Sequence, residues 1–422
     1  MQRIRIASLP GIILLAVACS DPPPPPNEAH SAFQVQLLAA LDTAKPGAVI
    51  EIPPGVHRIT RSLALNTDAV TLRGAGMHRS VLSFTGQIQG AEGLMVNGSD
   101  VLIEDFAIED SIGDAFTLKG GRNVVIRRVR AEWNRAPDSG NGAYGLYLLQ
   151  VENLLLEDCV AIGGSHAGIY VGQSRNVVLR NNRAEFNVAG IEIQNTVGAD
   201  VHGNLVTNNT AGILVFNVPN LPRQGHSTRV YDNRIVANNI GNFAPSGTAV
   251  SGLPSGTGIL VNASDRVEIF DNDIAENATA NIILSSYFTS GFEGAMEVAA
   301  DYDPYPEAVY IYGNRFAGGG DAPATLALKT LRVAMFGLGG SLPDILWDGY
   351  ANPDKTDGSG RLQAPYAICV DNEPALLLNA DMGNNSAGVT TDMTAYRCAH
   401  EKLPPIRISR AERRSSLLTP EP

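Results

Sequence analysis

The stretches Gly145-Leu-Tyr-Leu, Gly168-Ile-Tyr-Val, Gly190-Ile-Glu-Ile and Gly212-Ile-Leu-Val follow one another at intervals of 23, 22 and 22 residues. A second set interleaves with them: Val101-Leu-Ile-Glu, Val124-Val-Ile-Arg, Leu154-Leu-Leu-Glu, Val177-Val-Leu-Arg, Val267-Glu-Ile-Phe and Val309-Tyr-Ile-Tyr. Each unit is a series of short β-rich runs divided by Gly and Asn turns, with no helical period between them. A repeat of that length with several strands per unit predicts a parallel β-helix, whose coils stack about 4.8 Å apart.

The repeats align column by column. Ile103, Ile126, Leu156, Leu179, Val201, Val230, Ile269 and Ile311 form one inward column. Three residues later come Phe106, Val129, Cys159, Asn182, Asn204, Asn233, Asn272 and Asn314. The run of Asn predicts a buried amide ladder at a turn, where stacked amides satisfy one another and the turn backbone. Cys159 in that column reads as a small buried filler rather than a reactive thiol.

Composition narrows the function. The chain has 422 residues and a net charge of −12, which argues against nucleic acid as a partner. A hydrophobic content of 44% excludes global disorder. No run of about eighteen apolar residues follows the N-terminus, so no internal membrane span is expected. The start is an address: Arg3 and Arg5, a short apolar core, then Ala16-Val-Ala-Cys19. Residues 1–18 read as an export signal. Cys19 fits a bacterial lipobox imperfectly, and Ala16-x-Ala18 also fits ordinary signal peptidase. The run Pro22 to Pro26 favours the lipoprotein reading, because a stiff proline tether would hold a domain off a membrane. Ser20 after Cys19 resembles outer-membrane sorting. In that oxidising setting Cys369 and Cys398 are expected to pair.

Phe33 to Ala44 has the pattern of an amphipathic helix, stopped by Lys45-Pro-Gly, that would cap the open end of the first coil. The segment Ala40-Leu-Asp-Thr-Ala-Lys-Pro-Gly-Ala-Val-Ile-Glu-Ile-Pro-Pro-Gly, followed by Val70-Thr-Leu-Arg-Gly-Ala-Gly, resembles the opening of right-handed parallel β-helix proteins of the pectate-lyase-like class. More narrowly, Asn141-Gly-Ala-Tyr-Gly-Leu-Tyr, Asn242-Phe-Ala-Pro, Pro254-Ser-Gly-Thr-Gly-Ile and Val267-Glu-Ile-Phe-Asp-Asn resemble exported bacterial parallel β-helix repeat proteins, over about residues 33–408. The resemblance implies a right-handed helix and no settled activity. It also implies a candidate partner, an exported protein that looks like a c-type cytochrome. Wider relatives include pectate lyases, mannuronan C5-epimerases and sugar-binding proteins, which bears on fold rather than chemistry.

Function is expected on outward columns. Glu104, Arg127, Glu157, Arg180, His202, Tyr231, Phe270 and Tyr312 form one, read as a surface charge ladder followed by cross-strand aromatic packing, with sugar stacking as the alternative. Leu102, Val125, Leu155 and Val178 form an aliphatic stripe that the C-terminal segment, with 324–336 as a helix, is expected to cover. On the other face Thr117, Tyr147, Tyr170 and Glu192 share a column, and Lys119, Leu149, Gly172, Gln194 and Phe216 the next. Insertions at 134–144 and 240–257 leave one turn about four coils apart, a gap on the order of 19 Å. A third, 218–227, leaves the opposite end of that face. A ligand groove between the first two would have Lys119, Tyr147, Tyr170, Glu192 and Gln194 as its floor and His166 at its rim. His166, Tyr170 and Glu192 are the weak candidates for acid/base chemistry there, although Glu192 and Lys119 read first as solvated charges and His166 as a solvated turn histidine. No dense Asp cluster, lyase or epimerase signature, Gly-x-Ser-x-Gly, P-loop or His-Glu-x-x-His occurs. Asp110 and Asp114 are too few for the Asp trio of inverting hydrolases.

The sequence therefore predicts an export signal at 1–18, a lipoprotein tether at 19–32, a right-handed parallel β-helix of about nine or ten coils at 33–319, and an irregular, disulfide-bearing segment at 320–422 packed on it. The expected function is a monomeric, lipid-anchored, outer-membrane protein of the periplasm that binds a glycan or an exported partner. A polysaccharide lyase or C5-epimerase is the alternative, and a structural envelope protein the second. No cofactor or metal ligand set is identified. Cys19→Ser should move the protein from the membrane to the soluble periplasmic fraction; retention in membranes after that change rules out the lipid anchor.

Overall fold

The structure is a computed structural model that describes residues 28–135, 137–289, 301–358 and 360–408. The signal at 1–18, the lipidation site Cys19 and the tether up to residue 27 lie outside the described residues. The N-terminal helix spans Glu28–Asp42, so it begins within the expected tether rather than at Phe33. Leu37 and Leu41 are buried in the main core with Ile50 and Ile52, and the backbone N–H of Thr60 donates to the Gln34 side chain at 2.8 Å. The helix thus supplies apolar cover and a polar partner to the first coil, whose end would otherwise face water.

The strands make a right-handed parallel β-helix. One sheet stacks eleven strands, from Arg61–Leu65 to Leu377–Asn379. A second, of nineteen strands, bends to form the other two faces, with the long strands Leu102–Glu109 and Arg122–Glu132 continuous across the bend. The expected inward column pairs rung by rung, from Ile103 with Ile126 to Ile269 with Ile311, and all its members are fully buried. Residue 319 is not the end of the solenoid. Ile345–Trp347, Cys369–Asp371 and Leu377–Asn379 add further rungs, so much of 320–422 continues the stack instead of packing on its side.

The Asn ladder forms and is longer than expected. Asn182 donates to Asn204 at 3.0 Å, Asn204 to Asn233 at 2.9 Å, Asn233 to Asn272 at 2.9 Å, Asn272 to Asn314 at 2.9 Å, and Asn314 to Asn372 at 3.1 Å. Each receiving oxygen also accepts a backbone N–H of the preceding rung, down to Cys159 N at 3.0 Å. A second ladder, Asn187, Asn209, Asn238 and Asn277, repeats this pattern five residues further along each coil. The residue before every rung of the first ladder except Asn372, namely Asn181, Gly203, Asp232, Asp271 and Gly313, has φ between 52° and 66°, the left-handed conformation that turns the chain. The amides occupy the backbone polar groups such a turn leaves unpaired.

The charge ladder is not on the surface. Glu104, Arg127 and Glu157 are buried, and Glu104 accepts from Arg73 at 2.6 Å and Arg127 at 2.7 Å. The C-terminal tail covers the neighbouring outward column, two residues earlier in each strand. Cys398 is disulfide-bonded to Cys369, Leu403 N donates to Glu268 at 2.8 Å, and Ile406 N donates to Asp200 at 3.0 Å. Ile408, with Ile406, then packs on Leu102, Val125, Leu155 and Val178. These attachment points share one outward column, so the tail runs down the stack. The helix Leu326–Phe336 lies elsewhere, with Leu328, Leu331 and Phe336 against Leu342, Leu346 and Leu378. The aromatic half of the ladder is cross-strand packing: His202, Tyr231, Phe270 and Tyr312 stack at centroid spacings of 4.6, 4.8 and 4.9 Å and within 7° of parallel. Ring faces spent on each other leave little for a sugar.

Asn233 makes four of the ladder bonds while almost wholly buried. Asn233→Ala leaves its partners unsatisfied and should destabilise the fold by about 2–4 kcal/mol. An unchanged urea unfolding midpoint would show that the ladder is dispensable.

Candidate functional site

The face between the two large insertions is built from Phe116–Lys119, Tyr144–Leu149, Ala167–Gly172 and Ala189–Gln194, stacked in parallel. Thr117, Tyr147, Tyr170 and Glu192 are consecutive partners in register, as are Lys119, Leu149, Gly172 and Gln194. The insertions precede Tyr144–Leu149 and Thr257–Asn262, which are four coils apart.

The stacking brings His166, Tyr170 and Glu192 together. His166 Nε2 lies 3.6 Å from Glu192 Oε1, beyond hydrogen-bond length. Tyr147 and Tyr170 stack at 4.7 Å and 4°. The Tyr170 hydroxyl donates to Gln194 across Gly172, where a Cβ would come within 2.2 Å of that hydroxyl. Lys119 is exposed, with Nζ 5.8 Å from the Tyr147 ring centre. Tyr144, which the sequence reading did not single out, closes the cluster: its ring lies 4.6 Å from His166, 4.9 Å from Tyr147 and 5.1 Å from Tyr170. Its N–H donates to Asp114 Oδ1 at 3.2 Å.

Two expectations need correction. Glu192 is not a solvated charge. Its side chain is fully buried, and neither oxygen has a hydrogen-bond partner among the described residues. His166 is not a solvated turn residue either, since its side chain is only 13% exposed. The physical reason is the ring of Tyr144, Tyr170 and His166 gathered at an outward column. The insertion 240–257 closes the next part of the face: Val250 and Leu253 lie against Leu214, Phe216 and Leu260. Asn242 holds that loop by donating to Val250 O at 2.8 Å and Leu253 O at 3.0 Å. The floor is therefore open only at Lys119, Tyr147 and Gln194.

Burial sets the protonation states. It pushes the Glu192 carboxyl well above its ordinary range. It lowers His166 to about 4 and raises Asp114 to about 6. Burial thus favours the uncharged form of both groups, the carboxylic acid and the neutral imidazole. The tyrosine phenols are pushed upward by the same desolvation and stay protonated.

Elsewhere Asp265, Asp303 and Glu307 place carboxylate oxygens within 4.8 Å of one another. The Lys355 ammonium sits among them, 2.6 Å from Asp303 and in contact with Glu307, in the position a cation would take.

Residues 68–221 match the family described as a right handed beta helix region, in agreement with the expected resemblance to right-handed β-helix proteins of the pectate-lyase-like class. Among solved structures, the A-module of the Azotobacter vinelandii mannuronan C-5 epimerase AlgE4 is 19% identical, with 80% of this chain and 90% of that chain covered and a TM-score of 0.47. The A-module of epimerase AlgE6 from the same organism is 19% identical over 81% and 88%, with a TM-score of 0.48. Pectate lyase Pel9A is 14% identical over 78% and 84%, with a TM-score of 0.39. No curated protein matches the chain.

A buried carboxyl held protonated favours the folded state at low pH. The folded chain keeps a proton that the unfolded chain releases above about pH 4.5, so stability falls as pH rises from there, by up to about 1.4 kcal/mol per unit. His166 acts in the opposite sense within its own window: stability rises with pH between about 4 and 6.5 as the unfolded chain loses its extra proton. Glu192→Gln removes only the first effect. Its melting temperature should exceed that of the parent by a margin that widens from pH 6 to 8. A pH-independent margin would mean that Glu192 is ionised in the fold.

Proposed function

We propose that the chain is an exported, lipid-anchored glycan-binding protein whose β-helix presents its sugar site beside the 134–144 insertion. The carrying observation is the division of the face. Lys119, Tyr147 and Gln194 remain reachable, whereas the acid/base candidates His166 and Glu192 are enclosed, where burial favours their uncharged forms. Tyr147 stacks on Tyr170 with one face and keeps the other toward Thr117 and Lys119, which suits a pyranose ring. The ammonium of Lys119 and the amide of Gln194 suit its hydroxyl and carboxylate substituents. The lipid anchor rests on Cys19 and its proline tether, and places the site at the cell envelope. An exported cytochrome-like partner has no specific feature on this face to recommend it.

A lyase or epimerase is the second reading, favoured by one observation. Both Glu192 oxygens are unspent by the fold, next to a neutral imidazole and the phenols of Tyr144 and Tyr170. Such a pair could move a proton at a sugar carbon if the ring of Tyr144, His166 and Tyr170 opened.

Retention on a panel of immobilised bacterial and plant glycans tests the first reading. The parent should be retarded on at least one, and Lys119→Ala with Tyr147→Ala should weaken that retention about tenfold or more. Retention on none sinks the glycan reading. Ultraviolet absorbance from unsaturated uronate after incubation with the same glycans would establish the lyase instead.

A further inference from the structure

The turn that carries the 134–144 and 240–257 insertions carries a third. Between the strands Arg315–Ala317 and Ile345–Trp347 the chain leaves the coil at Gly320 and returns at Leu342, whose N–H donates to Gly320 O at 2.9 Å. Ala322 N donates to Ala278 O at 3.0 Å and Ala324 N to Thr279 Oγ1 at 2.9 Å, which pins the excursion to the preceding coil. It holds the helix Leu326–Phe336, with the Thr325 side chain accepting from Leu328 N at its start and Gly337 ending it at a φ of 77°. The outward column of Tyr170 and Glu192 continues through Leu214, Leu260 and Ile283 to Leu346 and Leu378, and there the inner face of the helix lies on it.

The outer face of this helix is apolar as well. Leu326 is 79% exposed and Leu338, two residues past the helix, 85%, with Val333 and Met335 also exposed. Leu326, Thr330 and Val333 follow one another at helical spacing, on the side where a surface helix ordinarily carries polar residues. Leu338 is held in place: Arg332 donates to the carbonyls of Leu338 and Gly340, and a Cβ on Gly340 would meet Phe336 O at 2.1 Å. The hydrogen-bonding groups of the excursion are spent within it, since the Thr330 hydroxyl donates to Leu326 O at 2.9 Å and Arg332 is taken by the loop. No Asp or Glu lies between Asp321 and Asp344, so its only charges are the cations Lys329 and Arg332, in a chain of net charge −12. Lys329 is exposed beside the apolar line, on a stem long enough to keep its ammonium in a polar layer while its neighbours are buried.

We propose that the outer face of Leu326–Phe336 and the loop at Leu338 dock on an anionic lipid surface. Such a surface asks for apolar depth and positive charge but for no directional hydrogen bonds, and that is what the excursion offers. A protein partner would need a polar rim to pair with. The lipid anchor of the proposed function would hold the end of the stack capped by Glu28–Asp42, whereas the helix sits on the last rungs of its sheet. The two contacts together lay the β-helix along the membrane, and the candidate face then looks toward it with the helix, about 10 Å thick, as spacer. The inference uses the envelope location of that reading and not the glycan. One such contact is reversible by itself and holds firmly only together with the lipid, so the Cys19→Ser chain still leaves the membrane on fractionation.

The test is cosedimentation of the purified Cys19→Ser protein, which carries no lipid, with vesicles of phosphatidylglycerol or of phosphatidylcholine at low salt. The protein should bind phosphatidylglycerol, and Leu326→Ser with Leu338→Ser should weaken that binding about tenfold or more. The melting temperature should not change, because both side chains lie outside the core. Ile88→Ser, which removes an equally exposed apolar side chain near the first coil, should leave binding unchanged. Lys329→Glu should weaken binding to phosphatidylglycerol, and added salt should do the same. Binding to neither vesicle overturns the proposal, as does binding that survives the double serine change. Equal binding to phosphatidylcholine overturns the anionic assignment. Self-association that the double change abolishes, without vesicle binding, gives the face to a second copy and also overturns it. Glycan retention should be the same in every variant, so failure of the helix leaves the glycan reading standing.

Discussion

Every coil of this molecule depends on its turns. Strands pair with the coils above and below, but the residues that bend the chain have no such partners. A buried backbone N–H or carbonyl left unpaired there would cost about as much as a lost hydrogen bond. The two Asn ladders remove that penalty along most of the stack. Within each ladder an amide accepts from the backbone of the preceding rung and donates to the next amide, and before every rung but Asn372 the chain takes the left-handed conformation. Where the first ladder begins, Cys159 fills the column and its N–H still donates to Asn182. Its thiol is buried and pushed up to about 12, which makes it inert filler.

The same stacking gives the outward columns their character. Side chains a coil apart are close enough to attract, so Glu104 with its arginines would be a weak pair in water. Burial changes that regime: the side chains of Glu104 and Arg127 are 2% and 6% exposed. Removing one partner of a covered pair strands a charge in a dry place and becomes far more damaging than the surface arithmetic suggests. The tail is itself held at coil-spaced points, by a disulfide, by carboxylates accepting its N–H groups, and by Ile406 and Ile408 on the aliphatic stripe.

Stacking also decides which aromatic residues are available. In the column from His202 to Tyr312 the rings face one another throughout, so an aromatic run in a repeat mostly describes internal packing. Tyr147 differs because Thr117 follows it where a ring would continue the stack. The candidate face was legible as columns: Lys119, Tyr147, Tyr170, Glu192 and Gln194 are neighbours because the repeat spacing makes them so. Tyr144 was missed because it precedes the strand's repeat motif, although its place beside Asp114 follows from the same register. The second Asn ladder had a plain signal, an Asn five residues after each of Asn182, Asn204, Asn233 and Asn272.

The amino-acid sequence by itself determined the solenoid, its inward columns, the first amide ladder and the Cys369–Cys398 pair. All of these except the disulfide are periodic, and a period of about one coil converts directly into a contact. What only the tertiary structure decided was which outward columns see water. That depends on segments with no periodic relation to what they cover. Ile406 reaches Asp200 from 206 residues away, and the ring of Tyr144, His166 and Tyr170 encloses Glu192. A carboxyl's place in the repeat says which way it points. Whether it is a solvated charge or a buried acid is set by what lies over it, and burial changes its free energy far more than its position in a column does.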